Sequence, residues 1–166
     1  MLDGVKLLEN SGSTAIAIPC NTSHYFFEEL QENSALPIIN MVEETLNTAR
    51  DQGFRKVALL CTQGTRVGRV YEHFNLSPDL SLIYPDAHYQ NLVDQIIYDQ
   101  IKAGRPLDVD MLTQVMDAMA ALCSDAVILG CTELSVACRG LPDFDIPIVD
   151  SLEVLAAQVL NRFQDN

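Results

Sequence analysis

Short apolar runs, rich in β-branched residues, alternate along the chain with longer amphipathic segments. Nearly continuous apolar runs of this kind are typical of strands buried on both faces of a parallel sheet. The runs cover residues 15–19, 37–40, 57–61, 81–84, 126–129 and 146–150. Helix-like segments lie between and around them, over residues 2–10, 24–32, 42–52, 66–74, 91–103, 110–122 and 151–163. This alternation predicts an α/β fold with a mainly parallel sheet, in which ligands bind beyond the carboxyl ends of the strands.

Two of the apolar runs lead directly into a cysteine. "AIAIPCNTSH" starts at residue 15 and contains Cys20, and "AVILGCTELS" starts at residue 126 and contains Cys131. A similar interval follows each cysteine and ends in similar segments, "LPIINMVEETL" from residue 36 and "IPIVDSLEVLA" from residue 146. This internal repeat predicts two duplicated lobes, each a three-layer αβα unit, with both cysteines at strand ends.

The repeat also predicts how the chain divides. Residues 1–52 form the first lobe, residues 53–150 the second, and residues 151–166 a C-terminal helix that packs back towards the first. Much less chain precedes Cys20 than the corresponding part of the second lobe contains. We therefore expect the first lobe to be incomplete at its N-terminus and to lack one βαβ portion.

Charge and hydropathy exclude several classes of partner. The chain of 166 residues has a formal net charge of −13, which argues against binding to nucleic acid or to an anionic membrane. No apolar run is long enough for a transmembrane helix, and no secretory signal opens the sequence. The sequence predicts a cytoplasmic protein.

The five cysteines do not form a recognisable disulfide or metal pattern. Their number is odd, their spacing is irregular, and no CxxC pair or suitably spaced histidine accompanies them. We therefore expect no metal site. For Cys123 and Cys138 we expect small buried apolar side chains, since free cysteines are commonly buried.

Polar residues able to hold an anion follow both strand-end cysteines. Asn21, Thr22 and Ser23 follow Cys20, and Thr132 and Glu133 follow Cys131. Where a strand turns into a helix, backbone N–H groups point at a ligand, and the same field lowers the pKa of a thiol. A third strand end, "CTQGT", offers the hydroxyl group of Thr62 or Thr65 as a further hydrogen-bond donor to a carboxylate.

Two such thiols on facing lobes favour acid–base chemistry with two bases. One cysteine would remove a proton from a substrate carbon, and the other would return one to the opposite face. A single nucleophilic cysteine would not need the repeated arrangement. A Cys–His pair is a further alternative, because His24 lies four residues after Cys20.

The motifs "IPCNTSH", "CTQGT", "ILGCTEL" and "PIVDS" together resemble the aspartate/glutamate racemase family of amino-acid racemases that work without pyridoxal phosphate. The Glu of "GCTE" is more similar to aspartate and broad-specificity racemases than to glutamate racemases. The resemblance implies an isomerase with no cofactor, a small acidic amino acid as substrate, and a homodimer. It also implies an initial strand and Gly-rich loop, which this sequence does not contain.

The resemblance assigns roles to individual residues. Cys20 and Cys131 match the two acid–base cysteines of the family. Asn21, Thr22 and Thr132 match residues that hold the α-carboxylate and amino group, and Lys102 matches a lysine near the distal carboxylate in some aspartate racemases. With Thr65 and Glu133 from the strand-end analysis, these residues form the expected substrate-binding set.

The sequence is also compatible with other functions. Related families isomerise or decarboxylate dicarboxylates with a single essential cysteine. A form that only binds a carboxylate, or is inactive, is compatible with an incomplete first lobe.

Overall fold

The computed structural model of the protein describes residues 1–122 and 124–164, with side chains as far as residue 162. Its α-helices are α1 (Leu2–Asn10), α2 (Phe27–Glu32), α3 (Met41–Asp51), α4 (Gln63–Val67), α5 (Val70–Phe74), α6 (Ala87–Asp94), α7 (Val109–Ala121), α8 (Thr132–Cys138) and α9 (Ser151–Gln164). Its strands are β1 (Ile16–Ala17), β2 (Ile38–Ile39), β3 (Lys56–Leu60), β4 (Ser81–Ile83), β5 (Ala126–Leu129) and β6 (Ile148–Asp150). A 3₁₀ helix covers Thr22–Phe26 and a π-helix covers Gln95–Ile101.

The strands form two parallel sheets. In one, β1 pairs with β2, and Ile16 lies opposite Ile38. In the other, the strand order is β4-β3-β5-β6, with Leu60 opposite Leu129 and Leu129 opposite Asp150. The α/β class with parallel sheets is therefore confirmed. The pairing of β1 with β2 matches that of β5 with β6, as the internal repeat requires.

Helices cover both faces of the four-stranded sheet, and successive strand residues alternate between them. Ala58 and Leu60 join the apolar cluster formed with the π-helix, α7 and α8. Val57 and Leu59 join the opposite cluster, formed with α3 and α5. A strand buried on both faces has no polar side, which explains why β3 and β5 are continuous apolar runs in the sequence.

Helix α3 links the two sheets. It follows β2, yet Val42 and Leu46 pack against the four-stranded sheet together with Val57 and Leu59. At its first residue, Met41, α3 also belongs to a small apolar cluster with Ile39 of β2 and Leu155 of α9. Leu152 and Val159 pack beside this cluster. The division of the chain at residue 52 stays a prediction. Helix α3, which ends just before it, packs both against the four-stranded sheet and against the small cluster around Leu155.

Three helical segments differ from the sequence expectation. The segment expected over 24–32 starts as a 3₁₀ helix, and the one expected over 66–74 is broken into α4 and α5 at Arg69, whose φ is 50°. The helix expected from residue 91 begins at Ala87, because the Asp86 carboxylate accepts the Tyr89 N–H at 3.0 Å and caps it. Its second half is the π-helix, which periodicity cannot distinguish from an α-helix.

The remaining cysteines fall partly as expected. Cys138 is half-buried beside the cluster that contains Leu60, and Cys61 is fully buried. Cys123 lies outside the described residues. Among the helices that the structure describes, none has the length and apolar character needed to cross a bilayer.

Gly130, directly before Cys131, allows a test of how closely the chain packs against residues 59–61. A Cβ at this position would lie 2.7 Å from Leu59 Cδ1 and 3.2 Å from both the Leu60 carbonyl oxygen and Cys61 Cβ. We expect Gly130→Ala to lower the free energy of unfolding by about 1–3 kcal/mol, the usual cost of overpacking. Urea denaturation measures this change.

Gly4→Ala is the matched control, because a Cβ on Gly4 in α1 meets no atom within 4 Å. Alanine is a better helix former, so the control should be neutral or more stable by up to about 1 kcal/mol. Equal effects at both positions would contradict the close approach at Gly130.

Candidate active site

The backbone of Cys20 is held at both its N–H and its carbonyl. The Cys20 N–H donates to the Ile18 carbonyl at 2.8 Å, and the Cys20 carbonyl accepts from the Ser23 N–H at 3.2 Å. The His24 ring nitrogen Nδ1 lies 2.9 Å from the same carbonyl. The Cys20 side chain is exposed, so a fixed backbone presents an accessible thiol just beyond β1. We call residues 18–21 the Cys20 loop.

Asn21 is buried, with 2% of its surface exposed, and both ends of its amide are engaged. Its Nδ2 donates to Ser151 Oγ at 2.9 Å, and its Oδ1 accepts from the Tyr71 hydroxyl at 2.6 Å. Tyr71 is fully buried, which raises the pKa of its hydroxyl and keeps it a donor. The amide therefore fixes the Cys20 loop, and among the described residues its second N–H has no acceptor.

Three hydroxyl groups meet beside the Cys20 loop. Thr22 Oγ1 lies 2.7 Å from Thr65 Oγ1 and 3.1 Å from Thr62 Oγ1, and the last two lie 3.2 Å apart. We call these residues the threonine cluster. Thr62 also caps α4 by accepting the Thr65 N–H. The structure thus brings together the predicted residues Thr22 and Thr65 from two different strand ends.

Cys131 stands where β5 turns into α8. It is 7% exposed, and its Sγ donates to Glu133 Oε2 at 2.9 Å. The Thr132 hydroxyl donates to the same carboxylate oxygen at 3.3 Å. Cys131 therefore sits as a thiol against a carboxylate, in contrast with the exposed Cys20.

The expectation of a lowered pKa is wrong for Cys131. Burial raises the pKa of this thiol, and the hydrogen bond and negative charge of Glu133 raise it further. The Glu133 N–H and the Lys102 ammonium act in the opposite direction but are outweighed. The helix N-terminus is present as expected, but burial and then the carboxylate of Glu133 outweigh its effect on the thiol pKa.

Glu133 itself is ionised despite its partial burial. Burial alone would raise the pKa of its carboxyl group, but hydrogen bonds from Cys131 and from its own backbone, with the charge of Lys102, lower it overall. Lys102 Nζ lies 3.6 Å from Glu133 Oε1. The carboxylate thus bridges a thiol at one oxygen and an ammonium at the other.

Lys102 reaches this position from the end of the π-helix. The Lys102 N–H donates to the Ile97 carbonyl at 3.0 Å, and Lys102 Nζ lies 5.0 Å from the centre of the Tyr98 ring. π-Helices are rare and are frequently found at functional sites. The predicted residues Lys102, Cys131, Thr132 and Glu133 therefore form one connected group.

The Ser151 hydroxyl connects the two cysteine regions. It accepts from Asn21 in the Cys20 loop and donates to the Leu129 carbonyl, two residues before Cys131, at 2.6 Å. Both regions consequently belong to one assembly at the carboxyl ends of β1, β5 and β6.

Sequence reasoning misses several of the residues that build this assembly. Tyr71 lies on a short helix without any motif, so no signal in the sequence marks it. Asp150, and not Ser151, caps the start of α9, since Asp150 Oδ1 accepts the Leu152 N–H at 2.8 Å. The Ser151 hydroxyl is thereby left to join the two cysteine regions.

A cavity of about 370 Å³ is lined by His24 of the 3₁₀ helix and by residues of α2 and α5, and its lining does not include either cysteine. Its lining includes Tyr25, Glu28, Arg69 and His73. The candidate active site is therefore placed by the chemistry at the strand ends and not by this cavity.

Comparison with known proteins identifies the family. The family model described as Asp/Glu/Hydantoin racemase matches residues 1–159. The chain belongs to this racemase family. The family is one of isomerases, and its members share the α/β fold found here.

Individual relatives and solved structures agree with this family. The chain is 28% identical to a broad specificity amino-acid racemase of Bacillus subtilis (strain 168), over 98% of this chain and 70% of the relative. It is 30% identical to a glutamate racemase of Thermus thermophilus, over 95% of this chain but only 58% of that enzyme.

An aspartate racemase structure from Picrophilus torridus superposes with a TM-score of 0.77 at 28% identity, over 96% of this chain and 66% of that one. An aspartate racemase homologue from Pyrococcus horikoshii OT3 gives a TM-score of 0.83 at 24% identity, over 97% and 71%. This second likeness supports the fold.

Tyr71→Phe tests whether the amide of Asn21 depends on its buried partner. The variant leaves Asn21 Oδ1 without the hydroxyl that donates to it, so we expect a loss of about 1–3 kcal/mol in the free energy of unfolding. Chemical denaturation measures the loss. Tyr25→Phe is the control and should change stability by less than about 0.5 kcal/mol, because Tyr25 is largely exposed.

Proposed function

We propose that the protein racemises an acidic amino acid, aspartate or glutamate, by proton transfer between Cys20 and Cys131 without a cofactor. The observation that carries this proposal is the assembly of two strand-end cysteines around the Ser151 hydroxyl. The racemase family and the aspartate and glutamate racemases among its relatives support the substrate class.

In the proposed reaction, one cysteine acts as a base and the other as an acid. The thiolate of the first takes the α-proton, so the C–H bond breaks and an S–H bond forms. The resulting carbanion takes the proton of the second thiol on its opposite face, which inverts the centre and leaves a thiolate behind. The reverse reaction exchanges the two roles.

Glu133 serves as the proton partner of Cys131 in this scheme. With the thiol donating to Glu133 Oε2 at 2.9 Å, Cys131 is ready to act as the acid. In the reverse direction the Cys131 thiolate left by the forward reaction takes the α-proton back, and its restored S–H group again donates to the Glu133 carboxylate. This role differs from the substrate-binding role expected for Glu133 from the sequence.

The threonine cluster and the free N–H of Asn21 supply donors for the substrate α-carboxylate. They come from residues 21 and 22, directly after Cys20, and from the end of β3, so a carboxylate held there would place the α-carbon near the exposed Cys20. Lys102 would attract the distal carboxylate, although it must share its charge with Glu133. Thr132 would complete the site beside Cys131.

Two further expectations stay proposals. We propose that the protein acts in the cytoplasm and as a homodimer, as its resemblance to amino-acid racemases implies. Sedimentation equilibrium measures the oligomeric state, and a monomer across the micromolar range would contradict the second of these.

Proton exchange tests the central proposal. We expect α-proton exchange of L- or D-aspartate or glutamate in deuterium oxide, measured by proton NMR. Cys20→Ala and Cys131→Ala should each lower the exchange rate by about 10²-fold or more, since each removes an acid–base group. Cys138→Ala is the control and should stay near wild type, because Cys138 lies at the far end of α8.

Other outcomes identify the alternatives. Calorimetric binding of aspartate without exchange would indicate a carboxylate-binding protein. Turnover of maleate that needs Cys20 but not Cys131 would indicate a single-cysteine isomerase. Either result overturns the racemase proposal.

The environment of Cys131 gives a second test, in which two variants should change the pKa of this thiol in opposite directions. Since Glu133 raises the pKa of Cys131 and Lys102 lowers it, Glu133→Gln should lower that pKa and Lys102→Met should raise it. At a fixed pH below the pKa, iodoacetamide should alkylate Cys131 faster in the first variant and slower in the second. The change is about tenfold for each pKa unit.

The measurement uses the Cys20→Ala background and peptide mass spectrometry, so that only Cys131 is followed. Glu153→Gln, at the repeat-related glutamate of α9, is the control and should leave the rate unchanged. Racemisation should fall in Glu133→Gln even though its Cys131 is more reactive. A faster racemase would contradict the proposed role of Glu133.

A further inference from the structure

His24 lies between the Cys20 loop and the first turn of α3. The ring is 2% exposed and stacks on Phe27, with centroids 5.9 Å apart. Nδ1 lies 2.9 Å from the Cys20 carbonyl oxygen, and the Met41 N–H donates to Nε2 at 3.1 Å. Both ring nitrogens therefore contact backbone groups, so His24 does not form the Cys–His pair considered from the sequence.

These two contacts determine which nitrogen carries the proton. A backbone N–H can only donate, so Nε2 must be the unprotonated nitrogen that accepts from Met41. The neutral ring then carries its hydrogen on Nδ1, which donates to the Cys20 carbonyl. Burial lowers the pKa of His24, and this outweighs the backbone hydrogen bonds with Cys20 and Ile39 that raise it, which agrees with a neutral ring.

The contact with Met41 completes the cap of α3. Asn40 Oδ1 accepts the N–H groups of Val42 and Glu43, and His24 accepts that of Met41. The first three N–H groups of the helix are thereby satisfied. Because α3 is packed into the core, the ring is anchored on its Met41 side and holds the Cys20 carbonyl from a fixed point.

We propose that His24 is a positioning residue for the reaction of Cys20. This inference rests on the racemase function proposed above. The Nδ1–H group holds the Cys20 carbonyl, which fixes the backbone that carries the reacting sulfur. His24 makes no contact with the Cys20 thiol, so it acts through geometry. Losing the contact at Nδ1 should therefore lower kcat and leave KM nearly unchanged.

Two conservative variants separate the two ring nitrogens. The amide of His24→Asn places a donor close to the position of Nδ1, and the amide of His24→Gln places an acceptor close to that of Nε2. Each variant keeps one of the two hydrogen bonds and loses the other, so their melting temperatures should fall by similar amounts. A purely structural role for His24 predicts similar activities as well.

Positioning through Nδ1 predicts unequal activities. We expect kcat of His24→Gln to fall by between about tenfold and 10²-fold, with KM within about twofold of wild type. His24→Asn should recover most of the lost kcat. The rate of Cys20 alkylation by iodoacetamide in a Cys131→Ala background should follow the same order. Equal losses in the two variants, or a loss confined to KM, would overturn the proposal.

A spectroscopic measurement needs no activity at all. Long-range proton–nitrogen NMR correlations of the wild-type chain should show His24 protonated at Nδ1 and unprotonated at Nε2. The opposite tautomer would overturn the proposal. If the wild-type chain exchanges no α-proton, the proposed function fails, while the tautomer and the alkylation rates of Cys20 still decide the role of His24.

Discussion

The site depends on one hydroxyl group, that of Ser151. It accepts from the amide of Asn21, next to Cys20, and donates to the carbonyl two residues before Cys131. A hydroxyl has one hydrogen and two lone pairs, so it can accept from one partner and donate to another at the same time. Both contacts are buried, where an unpaired polar group is costly, so the Ser151 hydroxyl ties the two cysteine regions together.

The two cysteines occupy different environments although the sequence around them repeats. Cys20 is exposed, whereas Cys131 is buried against a carboxylate that raises its pKa. The difference comes from burial and from the residue two positions after each cysteine. Thr22 after Cys20 is neutral and hydrogen-bonds to Thr65, while Glu133 accepts from the Cys131 sulfur and brings the charge of Lys102 with it. A repeated backbone thus carries two different proton environments.

Much of the fold could be predicted, because its signals are local. Continuous apolar runs mark β3 and β5, and the repeated segments after the cysteines mark β2 and β6. Contacts between distant parts of the chain have no such signal. Tyr71 meets Asn21 across the fold, and the π-helix before Lys102 is too short for its apolar residues to distinguish it from an α-helix. The effect of Glu133 on its neighbour needed the direction of a side chain, which sequence spacing does not give.

The threonine cluster contains a limited number of hydroxyl hydrogens. Three hydroxyl groups hold three hydrogens, and a closed ring of Thr22, Thr62 and Thr65 uses all of them. A carboxylate bound as proposed would therefore have to turn one hydrogen out of the ring. Thr62 and Thr65 are buried and Thr22 is only partly buried, so the Thr22 hydroxyl is the one that such a carboxylate would reach first. The ring would then hold a donor that is satisfied before binding and released by it, so that little desolvation cost is carried in the meantime.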